Sequence, residues 1–181
     1  MRVIAGKARR LPLKAVPGLD TRPTVDRIKE TLFNIIQSDI PGCIFVDVFS
    51  GSGGIGIEAL SRGASKAYFI DNDKEAINCI ESNLKFTKLI NDSKVLKGDV
   101  LSALNMIDAG EVDIIFMDPP YDEGLEESVF AYLNKLKFVT DNTLIILESR
   151  INNSFSFPGF DIIREKKYKT NKHIFLRRSN E

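Results

Sequence analysis

Apolar residues recur along this chain in two alternating styles, short unbroken runs and three- and four-residue steps, and the alternation sets the order of its elements. Residues 2–5 and 10–14 read as two short strands around Gly6-Lys7. Pro17-Gly18 marks a loop, and Thr21-Arg22-Pro23-Thr24 leads into a helix with Thr24 expected as its N-cap. Val25, Ile28, Leu32, Ile35 and Ile36 then form one apolar stripe as far as Gln37, and Pro41-Gly42 ends that unit. From there strands and helices alternate. Strands are expected at Ile44–Val48, Ala67–Ile70, Lys94–Lys97, Val112–Met117 and Thr143–Leu147. Helices are expected at Ile55–Arg62 (closed by Gly63), Lys74–Leu89, Val100–Ile107 and Leu125–Leu136. Asp161–Lys169 and His173–Arg178 read as an antiparallel hairpin joined through Thr170-Asn171-Lys172. The order demands an α/β fold: a mostly parallel seven-stranded sheet with right-handed crossovers, helices on both faces, a C-terminal hairpin and a short N-terminal β arm.

With 181 residues the chain fits one domain with a full core, and 43% hydrophobic against 28% charged residues excludes a disordered chain. The N-terminus has no signal-peptide apolar core and no run is long enough to span a membrane, so the cytosol is the expected compartment. Cys43 and Cys79 are too few for a disulfide framework, and no Cys/His cluster offers a metal site. The zero net charge conceals an asymmetry. Residues 1–22 carry a net +5, residues 164–178 a net +6, and residues 23–163 a net −10. Two basic ends on an acidic body suggest a polyanion held at one surface. No exposed apolar stripe calls for a partner subunit, so a monomer is expected.

The candidate chemistry sits where strands end. Ile114-Ile115-Phe116-Met117 stops at Asp118-Pro119-Pro120-Tyr121, because proline has no N–H for the ladder and a fixed φ. Asp118 is thereby left at the carboxyl end of a strand, where open α/β sheets place ligands. Its carboxylate and the Pro119 carbonyl are acceptors beside an aromatic face, a set that suits a flat group bearing an amine. Upstream, Asp47-Val48-Phe49-Ser50-Gly51-Ser52-Gly53-Gly54-Ile55-Gly56 joins a strand to its helix with G-x-G-x-x-G spacing, glycines that let a ligand approach the backbone. Asp71 and Asp99 end the next two strands, placed for ribose hydroxyls and for an adenine amine. A dinucleotide would bring its pyrophosphate to this loop, yet Asp47 puts an anion just before it. That favours a ligand carrying an ammonium, such as S-adenosyl-L-methionine, over NAD.

The glycine loop and the acid-Pro-Pro-aromatic tetrapeptide resemble the amino-group branch of the Rossmann-like class I methyltransferases. A longer match runs over nearly the whole chain. Arg2-Val-Ile-Ala-Gly-Lys7, Arg22-Pro-Thr-Val-Asp-Arg27 continuing into Glu30-Thr-Leu-Phe-Asn34, Asp47-Val-Phe-Ser-Gly-Ser-Gly53, Glu58-Ala-Leu-Ser-Arg-Gly63 and Asp118-Pro-Pro-Tyr121 resemble the RsmD family, enzymes that methylate N2 of a guanine in small-subunit (16S) ribosomal RNA. Tyr121 stands where relatives often carry Phe, and either ring can stack. The resemblance implies a basic RNA-contacting arm at 1–22, with Arg2, Lys7, Arg9, Arg10 and Lys14, ahead of a methyltransferase domain at 23–181. It implies that Asp47, Ser50, Gly51, Ser52 and Gly53 line the methionine and ribose part of the cofactor, with Arg22 and Thr24 near the methionine end. Asp71 and Asn72 would then hold the ribose, Asp99 and Val100 the adenine, and Asp118, Pro119, Pro120 and Tyr121 the target base beside the methyl donor. The implied partner is ribosomal RNA, within the small subunit or an assembly intermediate. Adenine-N6 methylation, an NAD-dependent dehydrogenase and a non-catalytic RNA-binding relative stand as rivals. The sole histidine, His173, reads as a surface residue of the hairpin.

Overall fold

Five apolar segments, β1 (Ile44–Val48), β2 (Lys66–Asp71), β3 (Ser93–Lys97), β4 (Ile114–Met117) and β5 (Leu144–Arg150), pair in parallel in the order β3-β2-β1-β4-β5. The hairpin of β6 (Phe160–Lys167) and β7 (Asn171–Arg178) continues the sheet, with β7 antiparallel to β5 and β6 at the edge. The computed structural model describes residues 1–17, 23–120 and 124–179. Side chains on a strand alternate between faces, so each unbroken apolar run feeds two cores at once. Phe45, Phe69, Phe116 and Ile146 face α1 (Pro23–Ile35), α2 (Gly54–Ser61) and α3 (Lys74–Phe86). Val46, Ile70, Ile115 and Ile145 face α4 (Val100–Leu104) and α5 (Leu125–Leu133). The chain winds outward from β1 to β3 on one face and returns to β4 over the other. The reversal leaves a crevice at the carboxyl ends of β1 and β4, the switch point of the sheet.

The expected class and the succession of elements along the chain hold, and the departures have local causes. Pro23 itself opens α1, so Thr24 lies inside the helix instead of capping it. In α3 the Thr87 hydroxyl donates to the Asn83 carbonyl at 2.8 Å and Lys88 adopts φ 60°, ending the helix at Phe86 and not at Leu89. Both α4 and α5 stop three residues early, because Ile107 and Leu136 pack on the core from the following turns. β5 runs on to Arg150, since β7 continues to pair with it through Glu148, Ser149 and Arg150.

The two expected N-terminal strands reduce to one isolated bridge, Arg2 to Pro12. Side chains of α2 and the α2 carboxyl end claim the amides a ladder would need. Glu58 accepts from the Ile4 and Ala5 amides at 2.8 and 3.0 Å, Ser61 Oγ accepts from Ala8 at 2.9 Å, and the Ser61 carbonyl accepts from Lys7 at 2.8 Å. The arm lies so close that a Cβ on Gly6 would stand 1.8 Å from the Ser61 carbonyl oxygen, and its φ of +82° also favours glycine. Val3, Ala8 and Leu13 are buried in the core cluster of α1–α3. A second correction concerns His173, expected at the surface. It is fully buried on β7, with its ring edge-on to Phe116 and Phe175.

Candidate active site

The acids at the strand ends converge on the switch point, but each is held differently. Asp47, on β1, is 2% exposed, and its Oδ2 accepts from the Gly56 amide at 2.8 Å. Burial pushes its carboxyl up to about 8, with the Asp71 charge adding to the rise and the Gly56 N–H opposing it. Asp71, ending β2, accepts from the Gly51 amide at 2.8 Å through Oδ2 and from the Asp73 amide at 3.0 Å through Oδ1. The Gly53 amide is bonded to the Ser50 carbonyl at 2.8 Å. The amides that would cradle a pyrophosphate are therefore already taken, two of them by carboxylates. Among the described residues, a Cβ built on Gly51 meets nothing within 4 Å, so the loop is open there. An acidic rim around an open glycine turn fits a cationic nucleoside and repels a dinucleotide.

Other residues expected at the cofactor also hold the loop together. The Ser50 hydroxyl donates to the Asp47 carbonyl at 2.6 Å and accepts from the Ile70 amide at 3.0 Å, riveting β1 to β2. The Ser52 carbonyl accepts from Asn83 Nδ2 of α3 at 2.9 Å. Asp99 caps α4, where Oδ1 accepts from the Ser102 amide at 3.0 Å. The Ser102 side chain, then that amide bond, hold its carboxyl below the usual range. Asn72 is exposed on the rim, and half-buried Val100 packs against the lower core. Arg22 and Tyr121 lie outside the described residues, as does the side chain of Thr24.

Asp118 follows β4 directly, its amide bonded to the Val48 carbonyl at 3.4 Å; Pro119 is buried and Pro120 exposed. One side of Asp118 is open to solvent and the rest is enclosed by protein. That enclosure, then the carboxylates of Glu148 and Asp47, hold its carboxyl well above the usual range. Solvent on the open side screens part of the effect, so only its direction matters here. The pairing of Met117 with Leu147 puts Glu148 beside Asp118 at the same level of the adjacent strand.

Glu148 is a site residue that sequence reasoning missed. Its Oε2 meets His173 Nε2 at 2.9 Å, His173 Nδ1 meets the Tyr168 hydroxyl at 3.0 Å, and Asn171 Nδ2 donates to Glu148 Oε1. A chain of polar groups, buried at His173 and half-buried at Tyr168, Asn171 and Glu148, thus runs from the hairpin to the acid next to Asp118. Burial, then the Glu148 charge, push the Tyr168 phenol up to about 12, so it stays neutral opposite His173 Nδ1. The signal available in the sequence was an acid at the end of one more parallel strand.

The five basic residues of the arm do not share one environment. Lys7, Arg9 and Arg10 are exposed; Arg2 lies 3.5 Å from Asp26, and Lys14 Nζ donates to Ser82 Oγ at 3.0 Å.

A family model described as "Conserved hypothetical protein 95" matches residues 1–177. The Ribosomal RNA small subunit methyltransferase D of Haemophilus influenzae is 34% identical over 171 residues, covering 92% of this chain and 88% of that protein. Its Escherichia coli namesake is 37% identical over 155 residues, covering 84% and 76%. Among solved structures, "Putative methyltransferase yhhF from Escherichia coli" superposes with a TM-score of 0.85 at 32% identity, covering 100% of this chain and 99% of that one. The likeness spans the arm, the glycine loop and the acid-Pro-Pro strand end together, and with a match of that extent the chain belongs to the RsmD family of methyltransferases.

Proposed function

We propose that this protein methylates the exocyclic N2 amine of a guanine in small-subunit (16S) ribosomal RNA, using S-adenosyl-L-methionine. The observation that carries the reading is the pairing of two features at one switch point. The loop amides are already paired, two of them with the acidic side chains of Asp71 and Asp47, and Asp118-Pro119-Pro120 ends the neighbouring strand. When bound, the cofactor supplies a methyl group on a cationic sulfonium. Asp47 and Asp71 favour its positive charge, and the turn at Gly51 leaves it room. An aromatic amine is a poor nucleophile because its lone pair is delocalised into the ring. Asp118 and the Pro119 carbonyl accept its two hydrogens and favour a pyramidal nitrogen whose lone pair is free to attack. Holding the two reactants in place contributes most of the acceleration, since effective molarities reach about 10⁵ M or more. After transfer the product nitrogen is acidic and gives up its proton to Asp118 or to water. Tyr121 stacks on the base, worth roughly 1–3 kcal/mol, once the base has left its own stack.

The decisive experiment measures tritiated methyl transfer to small-subunit RNA, to assembled small subunits and to DNA, followed by mapping of the modified nucleotide. Labelled N2-methylguanine in the ribosomal RNA is the expected product. N6-methyladenine, or transfer to DNA alone, overturns the reading.

Two further results are expected. At pH 7 the Asp47 carboxyl, with a pKa of about 8, is mostly protonated, whereas a bound ammonium favours the carboxylate. Cofactor binding therefore releases close to one proton, and affinity falls as pH drops further below 8. Calorimetry in two buffers of different ionisation enthalpy measures the release, and Asp47→Asn should abolish it. Release of no proton by the wild type rules out Asp47 as the partner of the ammonium. Separately, replacing Arg9 and Arg10 by alanine should weaken RNA binding about tenfold and flatten its salt dependence by about 1.5 in log–log slope. A change confined to cofactor binding would remove the arm from the RNA contact.

A further inference from the structure

The C-terminal hairpin completes the sheet and buries His173, yet its outer turn is crowded with cations that neither role requires. Between that turn and α1 lies a cavity of about 320 Å³, at the small end of ligand pockets. Arg27 lines it from α1, and Lys166, Lys167 and Lys169 line it from the hairpin, with no acidic residue in the wall among the described residues. Arg27, Lys167 and Lys169 are exposed. Four cations around one hollow repel each other and gain from an anion between them. The wall also carries an aromatic ring, Tyr168. Asn171, a further wall residue, gives its Nδ2 to Glu148. A ring beside a cationic rim suits more than a simple anion. It suits a phosphate carried next to a flat group that can pack on the ring, which is the chemistry of a nucleotide.

The cavity also shares its wall with the site. Tyr168 and Asn171 both belong to the network that ends at Glu148, beside Asp118. We infer that this cavity seats a nucleotide of the RNA close to the target base, with its phosphate against the lysines and its base against the Tyr168 ring. The inference rests on the RNA-methylating reading and gives it a second anchor, on the opposite end of the chain from the basic arm. An RNA gripped at both ends of the protein would be drawn across the rim that carries Asp118.

The test titrates a labelled single-stranded RNA against the full-length protein over a range of salt concentrations, with cofactor binding followed in parallel. The Lys167→Ala/Lys169→Ala double variant is compared with Lys135→Ala/Lys137→Ala, which removes two exposed lysines outside the cavity. Loss of two phosphate contacts should flatten the log–log salt slope by about 1.5 and weaken binding about tenfold or more, with cofactor affinity unchanged. The control pair should change neither. If wild type and cavity variant bind RNA alike, or if both pairs weaken it equally, the cavity is not the anchor, while the methyltransferase reading stands. If the wild type shows no salt-dependent RNA binding at all, that reading falls and takes the inference with it.

Discussion

Replacing Asp118 with alanine is expected to lower methyl transfer by about 10³-fold or more while changing cofactor affinity only a few-fold. The size follows from what is removed: one of the two acceptors that shape the reacting amine, a class of interaction worth about 10²–10³ when it acts on charge developing in the transition state. Loss of orientation adds to it. Cofactor binding is spared because its loop is held by Asp47, Asp71 and Ser50, none of which bonds to Asp118. Asp118→Asn should retain more activity than Asp118→Ala, because an amide carbonyl still accepts one hydrogen. The raised pKa of Asp118 adds a pH signature. Its neutral acid form carries a hydrogen of its own and accepts poorly, so wild-type kcat should rise with pH through that ionisation. The asparagine variant should lose this dependence. Near-normal turnover in Asp118→Ala would sink the proposed role.

The largest effect on stability is expected from Glu58→Ala, at about 3–5 kcal/mol. Glu58 is fully buried and satisfies four groups: the Ile4 and Ala5 amides, Arg62 Nε at 2.7 Å and Lys29 Nζ at 3.5 Å. Lys29 is almost fully buried as well, and its Nζ donates to the Arg2 carbonyl at 2.6 Å. Burial already lowers its pKa, against the opposing charges of Glu58 and Asp26. Without Glu58 the ammonium has lost its main counter-charge in a dry site, and two arm amides have lost their acceptor. Domains of this size are typically stable by about 5–15 kcal/mol, so the loss would be a large share of the total. Urea unfolding should register it, and limited proteolysis should find the arm released from α2. Glu58→Gln, which keeps shape and hydrogen bonding but not charge, should cost less. A loss below about 1 kcal/mol for the alanine variant would mean that the arm is held by its apolar residues alone.

The fold was legible because its signals are local. Unbroken apolar runs such as Ile114–Met117 suit strands covered on both faces, and proline stops such as Pro119-Pro120 mark where they end. The glycine loop and the acids Asp47, Asp71 and Asp118 were legible for the same reason: in a parallel sheet, strand ends share one rim. Less was visible where one side chain has two possible employers. Ser50 and Asp99 were expected to face a ligand, and the structure gives them a strand rivet and a helix cap. Either use needs the same polar group at the same position, so the residue type alone does not separate them.

What the chain determines by itself, then, is the alternation of strands and helices, the strand ends that share one rim, and the kinds of group that stand there. Tertiary structure alone decided which distant polar groups meet. Glu58 lies 54 residues from Ile4, and Glu148 lies 25 from His173. No periodicity records such pairings, because hydrophobic spacing states which face is buried and is silent about the partner a buried polar group will find. A lone histidine in a strand looked like a surface residue until β7 paired with β5 and its ring packed against Phe116. The acid-Pro-Pro strand end announced an acceptor from its own covalent geometry. Its neighbour Glu148, the network behind it and the cationic cavity beyond exist only once the hairpin has folded back against the sheet.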